Sequence, residues 1–374
     1  MNKTSDRKLE HIDIVRRGGT EAQATTLLEY VRLINRADPE VDLEHVDIST
    51  EFCGHTLQAP LMFTGMTGGH PDAEPINAAL AEVAESFGIA IGVGSQRAAI
   101  EDPSLARTFA VVRERAPTTF VVANVGAAQL AKGYGVKELM KAIDMIRADA
   151  IAIHFNVGQE LFQDEGDTRF SGIINKIETL VEELPVPIII KDVGIGLSKE
   201  DVSALRSIGV RCFDVAGLGG TNWIKIEYLR SKAKHGRASR EPSALGDLWG
   251  NPTAIAIMEA RTAAIDSYIV GSGGIRDGLD VAKAIALGAD IAGLAAPAMR
   301  ALSNGVDSLR LFVANVLYQL KAAIMMSGGS KVSDLWRVPV VVWGRLREEA
   351  EMRGINVSSY LNRRLEALLW RRRT

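Results

Sequence analysis

The chain has 374 residues, 47% hydrophobic and 24% charged, the balance of a globular protein large enough to bury a core without disulfide staples. A net charge of −3 and a pI of about 6.1 leave no global basic field for nucleic acid or an acidic membrane surface. The polar start lacks the apolar core of a secretory signal, and no apolar run approaches the roughly 20 residues that cross a bilayer. A cytoplasmic protein with neither membrane nor nucleic-acid partners is the expectation. Cys53 and Cys212 have no metal-ligand spacing and no recognisable base beside them, so they read as reduced core residues rather than nucleophiles.

In chain order, residues 1–59 read as a leader with a helical stretch over Glu21–Ile34. From about residue 60 to 300 one unit returns, a short apolar run and then an amphipathic helical pattern. The runs are Leu61–Met66, Ile89–Val93, Phe120–Ala123, Ile151–His154, Ile188–Lys191, Cys212–Val215, Tyr268–Val270 and Ile291–Leu294. Continuous apolar character marks strands buried on both faces. Helices are predicted between them at Ala78–Phe87, Val136–Arg147, Ile173–Glu183 and Leu279–Leu287. Eight strands alternating with helices predict an α/β chain folded as a closed (βα)8 barrel over residues 60–330. An open doubly wound sheet would place a dinucleotide fingerprint after its first strand, and Gly65-Met66-Thr67-Gly68-Gly69 is not one. Residues 331–374 read as an extension ending in an amphipathic helix with Leu361, Leu365, Leu368 and Leu369 on one stripe, a subunit contact with a solvated basic tip. No low-complexity linker separates leader, barrel and extension, which argues for one domain.

Barrels of this kind carry their chemistry at the carboxyl ends of the strands, so the residues just after each run are informative. These exits offer Thr67 with two glycines, Ser95 and Arg97, Asn124, His154 with Asn156, Gln159 and Glu160, Lys191, Thr221, Gly273-Gly274 with Arg276, and Ala295-Ala296. The seventh and eighth exits have the composition of a phosphate cradle, in which backbone amides and a helix amino terminus act as donors. The fourth exit puts an imidazole, two amides and a carboxylate within one turn; Glu160 suits a hard cation such as Mg2+, which takes few carboxylates plus phosphate and water. Tetrahedral zinc is disfavoured, because no second His or Cys lies at ligand spacing. Lys191 ends a very apolar run and needs a negative partner, whether an anionic cofactor or Asp214; a Schiff-base lysine is a further reading. In the leader, Arg7 and Lys8 form a short basic cluster of the kind that is usually a solvated face; if it reaches the same mouth as Arg97, the two together could hold a polyanion.

Taken together these motifs resemble type 2 isopentenyl-diphosphate isomerases. The resemblance rests on Arg7-Lys8-Leu9-Glu10-His11-Ile12, Gly65-Met66-Thr67-Gly68-Gly69, Gly94-Ser95-Gln96-Arg97, Asn124, His154-Phe155-Asn156-Val157-Gly158-Gln159-Glu160, Gly217-Leu218-Gly219-Gly220-Thr221-Asn222-Trp223 and Ser272-Gly273-Gly274-Ile275-Arg276. It runs from residue 7 to about 297. The glycine-rich pieces are shared with other FMN barrels, whereas the first motif and the His154–Glu160 segment are specific. The resemblance implies FMN, Mg2+, NAD(P)H serving only to reduce the flavin, a small diphosphate substrate and a homo-oligomer, tetramer or octamer. It implies that Gly65, Met66, Thr67, Ser95, Asn124, Lys191, Thr221, Gly273, Gly274, Arg276, Ala295 and Ala296 surround FMN. By the same resemblance Arg7, Lys8, Ser95, Arg97, His154, Asn156 and Gln159 hold substrate, Lys191, His154 and Gln159 are catalytic, and Glu160 binds the metal. Asp192 stands where the family more often has Glu. Another FMN-barrel oxidoreductase is the nearest alternative, yet neither cysteine sits where a dehydrogenase nucleophile is needed, and Asp214-Val215-Ala216-Gly217 offers no hydroxy-acid-oxidising His.

Overall fold

The structure is a computed structural model that describes residues 7, 8, 10, 11, 13–15 and 18–362. Eight parallel strands close a barrel: β1 (Leu61–Phe63), β2 (Ala90–Gly92), β3 (Val121–Gly126), β4 (Ala150–His154), β5 (Ile188–Lys191), β6 (Cys212–Asp214), β7 (Tyr268–Ser272) and β8 (Ile291–Leu294), with β8 pairing back onto β1. All eight predicted runs are strands, and the four predicted helices correspond to Ala73–Phe87, Val136–Ile146, Ile173–Glu183 and Gly278–Leu287, the second stopping one residue short because Arg147 is its left-handed cap. The continuous apolar character has the expected cause. Met62, Ala90, Val122, Ala152, Ile189 and Val270 point into the barrel, while Leu61, Phe63, Ile91, Val121 and Ile153 pack under the helices.

A hairpin of Thr50–Phe52 and His55–Leu57 stops the amino-terminal end of the barrel. Phe52 meets Phe120 and Tyr268 edge-to-face, each pair of centroids 5.6 Å apart. Its two-residue turn takes positive φ at both Cys53 (49°) and Gly54 (80°), the tight geometry that matches strand twist. Cys212 is buried in the barrel as expected, but Cys53 is only half-buried, because the turn holds it outside the core.

Two further expectations fail. Glu21–Ile34 is not a helix: Leu27 has φ 60°, only a short 3-10 turn comes after it at Leu28–Tyr30, and Val31–Leu33 is a strand antiparallel to Val340–Val342. Long-range pairing with the extension overrides the local helical period. Second, the 21-residue helix Val306–Met326 is long and apolar enough, by length and composition, to cross a bilayer. Its apolar content is accounted for on one side by Leu309, Val313, Val316, Leu320 and Ile324, a stripe buried against the barrel. Of the Leu361 stripe, positions 365, 368 and 369 lie outside the described residues.

The barrel frame repeats one buried lock in its two halves. Arg113, on the helix before β3, donates to Asp149 Oδ2 (2.6 Å), which also accepts from Val121 N (2.8 Å), and to the carbonyls of Ala116 and Thr119. Arg261, on the helix before β7, donates to Asp290 Oδ2 (2.8 Å), which accepts from Ile269 N (2.6 Å), and to the carbonyls of Ala264 and Ser267. In the second half the guanidinium also lies 5.0 Å from the Trp336 ring, which couples the extension to the barrel. Both partners of the Arg261–Asp290 pair are fully buried. Arg261→Met therefore takes the guanidinium from a buried carboxylate and is expected to cost roughly 3–5 kcal/mol in urea unfolding, whereas Ala at the exposed Arg347 leaves the midpoint unchanged. Equal midpoints for the two variants would show that the lock contributes nothing.

Candidate active site

All eight strand ends open on one cleft of about 220 Å³ at the carboxyl side of the barrel. Every site residue named from the sequence lines it: Arg7, Lys8, Gly65, Met66, Thr67, Ser95, Arg97, Asn124, His154, Asn156, Gln159, Glu160, Lys191, Thr221, Gly273, Gly274, Arg276, Ala295 and Ala296. Among the described residues, six basic side chains, Arg7, Lys8, Arg97, Lys191, Arg276 and Arg300, face two lining carboxylates, Glu21 and Glu160, so the cleft is electrostatically prepared for an anion.

On the β3–β4 side, Asn124 donates from Nδ2 to the Val93 carbonyl (2.9 Å), and its Oδ1 stands 2.7 Å from His154 Nδ1. An amide oxygen can only accept, so His154 carries its proton on Nδ1. Burial, then the nearby Lys191 and Lys8 charges, push the imidazole down to about 3, and it is neutral in the working range. Gly65 is demanded by this cluster, since a Cβ there would lie 2.3 Å from the Val93 oxygen and 2.6 Å from Asn124 Nδ2. One turn on, Asn156 donates to Glu160 Oε1 (2.9 Å) and to Gln159 Oε1 (3.2 Å), while Glu160 Oε2 accepts from Asp167 N (2.7 Å).

The leader closes the mouth from above, helical at its described positions between 7 and 15. Lys8 Nζ donates to the Ser95 carbonyl (3.4 Å). Burial, with Arg7 and Arg97 nearby, pushes this ammonium down to about 7. His11 stands edge-on to Trp223, centroids 5.1 Å apart, and its Nε2 lies 2.8 Å from Glu227 Oε1. Sequence reasoning alone misses Glu227. Its side chain has no exposure, and it accepts from Gln159 Nε2 (2.9 Å) and Arg230 Nε (2.7 Å) as well. Burial alone would raise this carboxyl, but His11, Arg230 and Gln159 together hold it down to about 2. The Gln163 amide joins the cluster, donating to Glu227 Oε1 (3.2 Å) and accepting from Arg7 Nη1 (3.0 Å).

At the seventh and eighth exits the glycines serve backbone packing as well as ligand access. A Cβ on Gly273 (φ 98°) would lie 2.1 Å from the Gly217 oxygen, and one on Gly220 would lie 2.4 Å from Gly274 N. The β6 and β7 loops thus touch main chain to main chain. Arg276 donates to the Gly274 (2.6 Å) and Gly219 (2.9 Å) carbonyls, and Glu21, also missed, bridges Arg276 (3.4 Å) and Arg300 (3.0 Å). The first turn of Ala296–Leu302 lines the cleft, and the opening amides of any helix lack internal acceptors.

Of the open readings for Lys191, the structure makes an ion pair: Nζ lies 3.8 Å from Asp214 Oδ2 and donates to the Asp192 carbonyl (2.6 Å). Asp214 also accepts from the Ser272 hydroxyl. Its carboxyl is raised by burial and pulled back by Lys191 and Ser272. Asp192, the departure from the family pattern, accepts from Ile195 N and Gly196 N (2.7 Å each), so its carboxylate shapes the β5 loop. Burial raises it to about 6.

Residues 140–341 match the FMN-dependent dehydrogenase family. Isopentenyl-diphosphate delta-isomerase of Aeropyrum pernix is 58% identical, with 98% of each chain covered. The enzyme of the same name from Ignicoccus hospitalis is 47% identical over 94% of this chain and 98% of its own.

The chain belongs to the type 2 isopentenyl-diphosphate delta-isomerase family.

The flavin-family match is what marks the type 2 branch within isopentenyl-diphosphate isomerases. Solved structures confirm the barrel frame at low identity. A lactate oxidase of Pediococcus acidilactici superposes with TM-score 0.65 at 15% identity, covering 91% of this chain and 93% of its own. A mandelate oxidase gives TM-score 0.61 at 18% identity, covering 88% and 95%. Likeness at this level shows the fold alone.

The His154 geometry makes a measurable statement. Its folded pKa lies below the unfolded value of about 6.5, so between these pH values the unfolded chain binds the extra proton and stability falls as pH drops. Nitrogen NMR of labelled histidine is expected to report the neutral Nδ1–H form of His154 unchanged from pH 8 to pH 5. A titration near pH 6.5 would contradict the buried geometry.

Proposed function

We propose that this chain interconverts isopentenyl and dimethylallyl diphosphates with FMN and Mg2+ bound in the cleft, the flavin kept reduced by NAD(P)H. The observation that carries this reading is the convergence of the leader's Arg7, Lys8 and His11 with the strand-end residues on one cation-rich cleft. The residues present fit these groups. Thr67 Oγ1 and Asn156 Oδ1 are buried in the cleft without a partner in the protein, a state that costs free energy unless a ligand atom meets them. Gly65, Met66, Thr67, Ser95, Asn124 and Lys191 would hold the ring system, with Thr221, Gly273, Gly274, Arg276, Ala295 and Ala296 toward the phosphate. When bound and reduced, FMN would supply at N5 the acid–base function for which the described lining side chains offer no obvious acid matched to an unactivated carbon.

The chain's own residues do the rest. Arg7, Lys8 and Arg97 neutralise the diphosphate, and Lys8, being near its midpoint at neutral pH, takes up a proton as the anion arrives. Neutral His154, with Ser95 and Asn156, orients the phosphates without adding charge. Glu227 fixes the Gln159 amide toward the mouth and ties it to His11, so that binding of the leader and alignment of Gln159 are one event. Lys191 stabilises negative charge at the cleft floor. Trp223 and the leader helix keep water from a centre with carbocation character. No cluster of three or more His, Cys, Asp or Glu suited to a metal exists among the described residues. Glu160 therefore contributes a single carboxylate, with diphosphate and water completing the Mg2+ shell. Leu248 and Trp249, 62% and 61% exposed, support a homo-oligomeric state.

Two experiments test this. The purified protein is expected to be yellow and, incubated anaerobically with reductant, Mg2+ and isopentenyl diphosphate, to form dimethylallyl diphosphate; a colourless protein, or full turnover with flavin held oxidised, overturns the reading. Glu160→Gln is expected to weaken Mg2+ activation by at least about tenfold, the scale of losing a charge-assisted ligand. A Mg2+ titration and turnover rate identical to the unmodified enzyme would remove Glu160 from the metal site.

A further inference from the structure

The roles above leave one buried carboxylate at the site without a task. Asp214 ends β6 at 1% exposure, in register with Lys191 on β5 and Val270 on β7. One of its oxygens accepts from the Ser272 hydroxyl at the end of β7, and the other stands 3.8 Å from Lys191 Nζ. Three neighbouring strand ends are joined through it.

Its place relative to the cleft is decisive. Lys191 lines the mouth, but Asp214 does not. Asp214 instead lines a separate cavity of about 10 Å³ inside the barrel, which Lys191 and Asn124 also line, together with apolar Met62, Val122, Ala152 and Ile189. Lys191 thus stands between the two spaces and lines both, as Gly65 and Asn124 also do, while the carboxylate lines the inner one alone. A carboxylate among such neighbours is no requirement of stability, since apolar side chains of similar volume serve at least as well as a buried ion pair. Its distinctive effect is on the charge it faces, and in a low-dielectric interior that effect is large.

We propose that Asp214 is a positioning residue that holds the Lys191 ammonium at the cleft floor from beneath and offsets part of its charge, thereby setting how strongly the site favours reduced flavin. The inference rests on the flavin reading given above. An ammonium facing the ring favours the negative charge gained on reduction. A carboxylate on its far side weakens that field, and the Ser272 hydroxyl, by sharing the carboxylate charge, limits the weakening. Asp214 touches neither flavin nor substrate and acts through Lys191.

The test is the reduction potential of bound FMN in the full-length protein and in Asp214→Asn, Lys191→Met, the double variant and Ser272→Ala. Asp214→Asn keeps the side-chain shape and is expected to raise the reduced-to-oxidised ratio about tenfold at fixed applied potential, equal to about 30 mV for a two-electron couple. Lys191→Met is expected to shift the potential the other way, and in that background Asp214→Asn should lose most of its effect. Ser272→Ala keeps Asp214 and reads the same arrangement should the Asn variant not fold; it is expected to shift the potential negative. An unchanged potential in Asp214→Asn, or a shift equally large without Lys191, overturns the inference while leaving the flavin reading intact. If Lys191→Met binds FMN with an unaltered potential, the placement of Lys191 against the flavin is wrong, and a protein that takes up no flavin overturns both.

Discussion

The mouth of this barrel is organised around a carboxylate that never meets solvent. Glu227 binds His11 from the leader, Gln159 from the β4 exit and Arg230 from its own helix, the last of which also pairs with Glu10 and Glu165. Because the charge is buried, its partners are not optional: leaving it unpaired would cost far more than any one of the contacts contributes. The position of the leader across the cleft is therefore dictated from below. Arg7 and Lys8 reach the same space as Arg97 and His154 because His11, one turn further along, is tethered to that carboxylate.

The barrel is legible in the sequence because its strands are short and buried on both faces, so that apolar continuity, bounded by polar or glycine exits, identifies each of the eight. The residues lining the cleft are legible for a related reason. A polar side chain at a strand exit has no role in packing, and when nearly every exit carries one, or a glycine that admits a ligand, the common destination can be read from order alone. Family motifs, above all the His154–Glu160 segment, carry the assignments further than residue chemistry does. The features that stay hidden depend on distant partners. Glu227 lies in a helix, Trp223–His235, whose polar residues look like a solvated surface, and only the arrival of His11 and Gln159 gives it a buried task. The clue on offer is Trp223 four positions earlier, a large ring that opens the helix just after a glycine-rich loop and must pack on something. Val31–Leu33 is obscured for the same reason, since its strand identity comes from Val340–Val342 and not from its own period.

Beneath the site the frame is more symmetrical than the chemistry. The Arg113–Asp149 and Arg261–Asp290 locks occupy equivalent places in the two halves, each tying a helix, the start of one strand and the residue before the next. Both lie at the end of the barrel away from the cleft, where a buried guanidinium meets a carboxylate that is fully buried in Asp290 and partly exposed in Asp149. The two ends thus divide the work: the amino-terminal end pairs its charges internally and serves stability, while the carboxyl end keeps Thr67 and Asn156 oxygens without protein partners.

The small sheet formed by Val31–Leu33 and Val340–Val342 bears on the order in which the molecule comes into being. During synthesis the first of these strands emerges before any barrel strand and the second after all of them, so the leader waits, unanchored along this edge, for most of translation. Closing so large a loop is entropically slow, and it becomes favourable only once a finished barrel supplies the surface on which both segments lie. A nascent barrel can consequently complete its eight strands before this outer sheet is fastened.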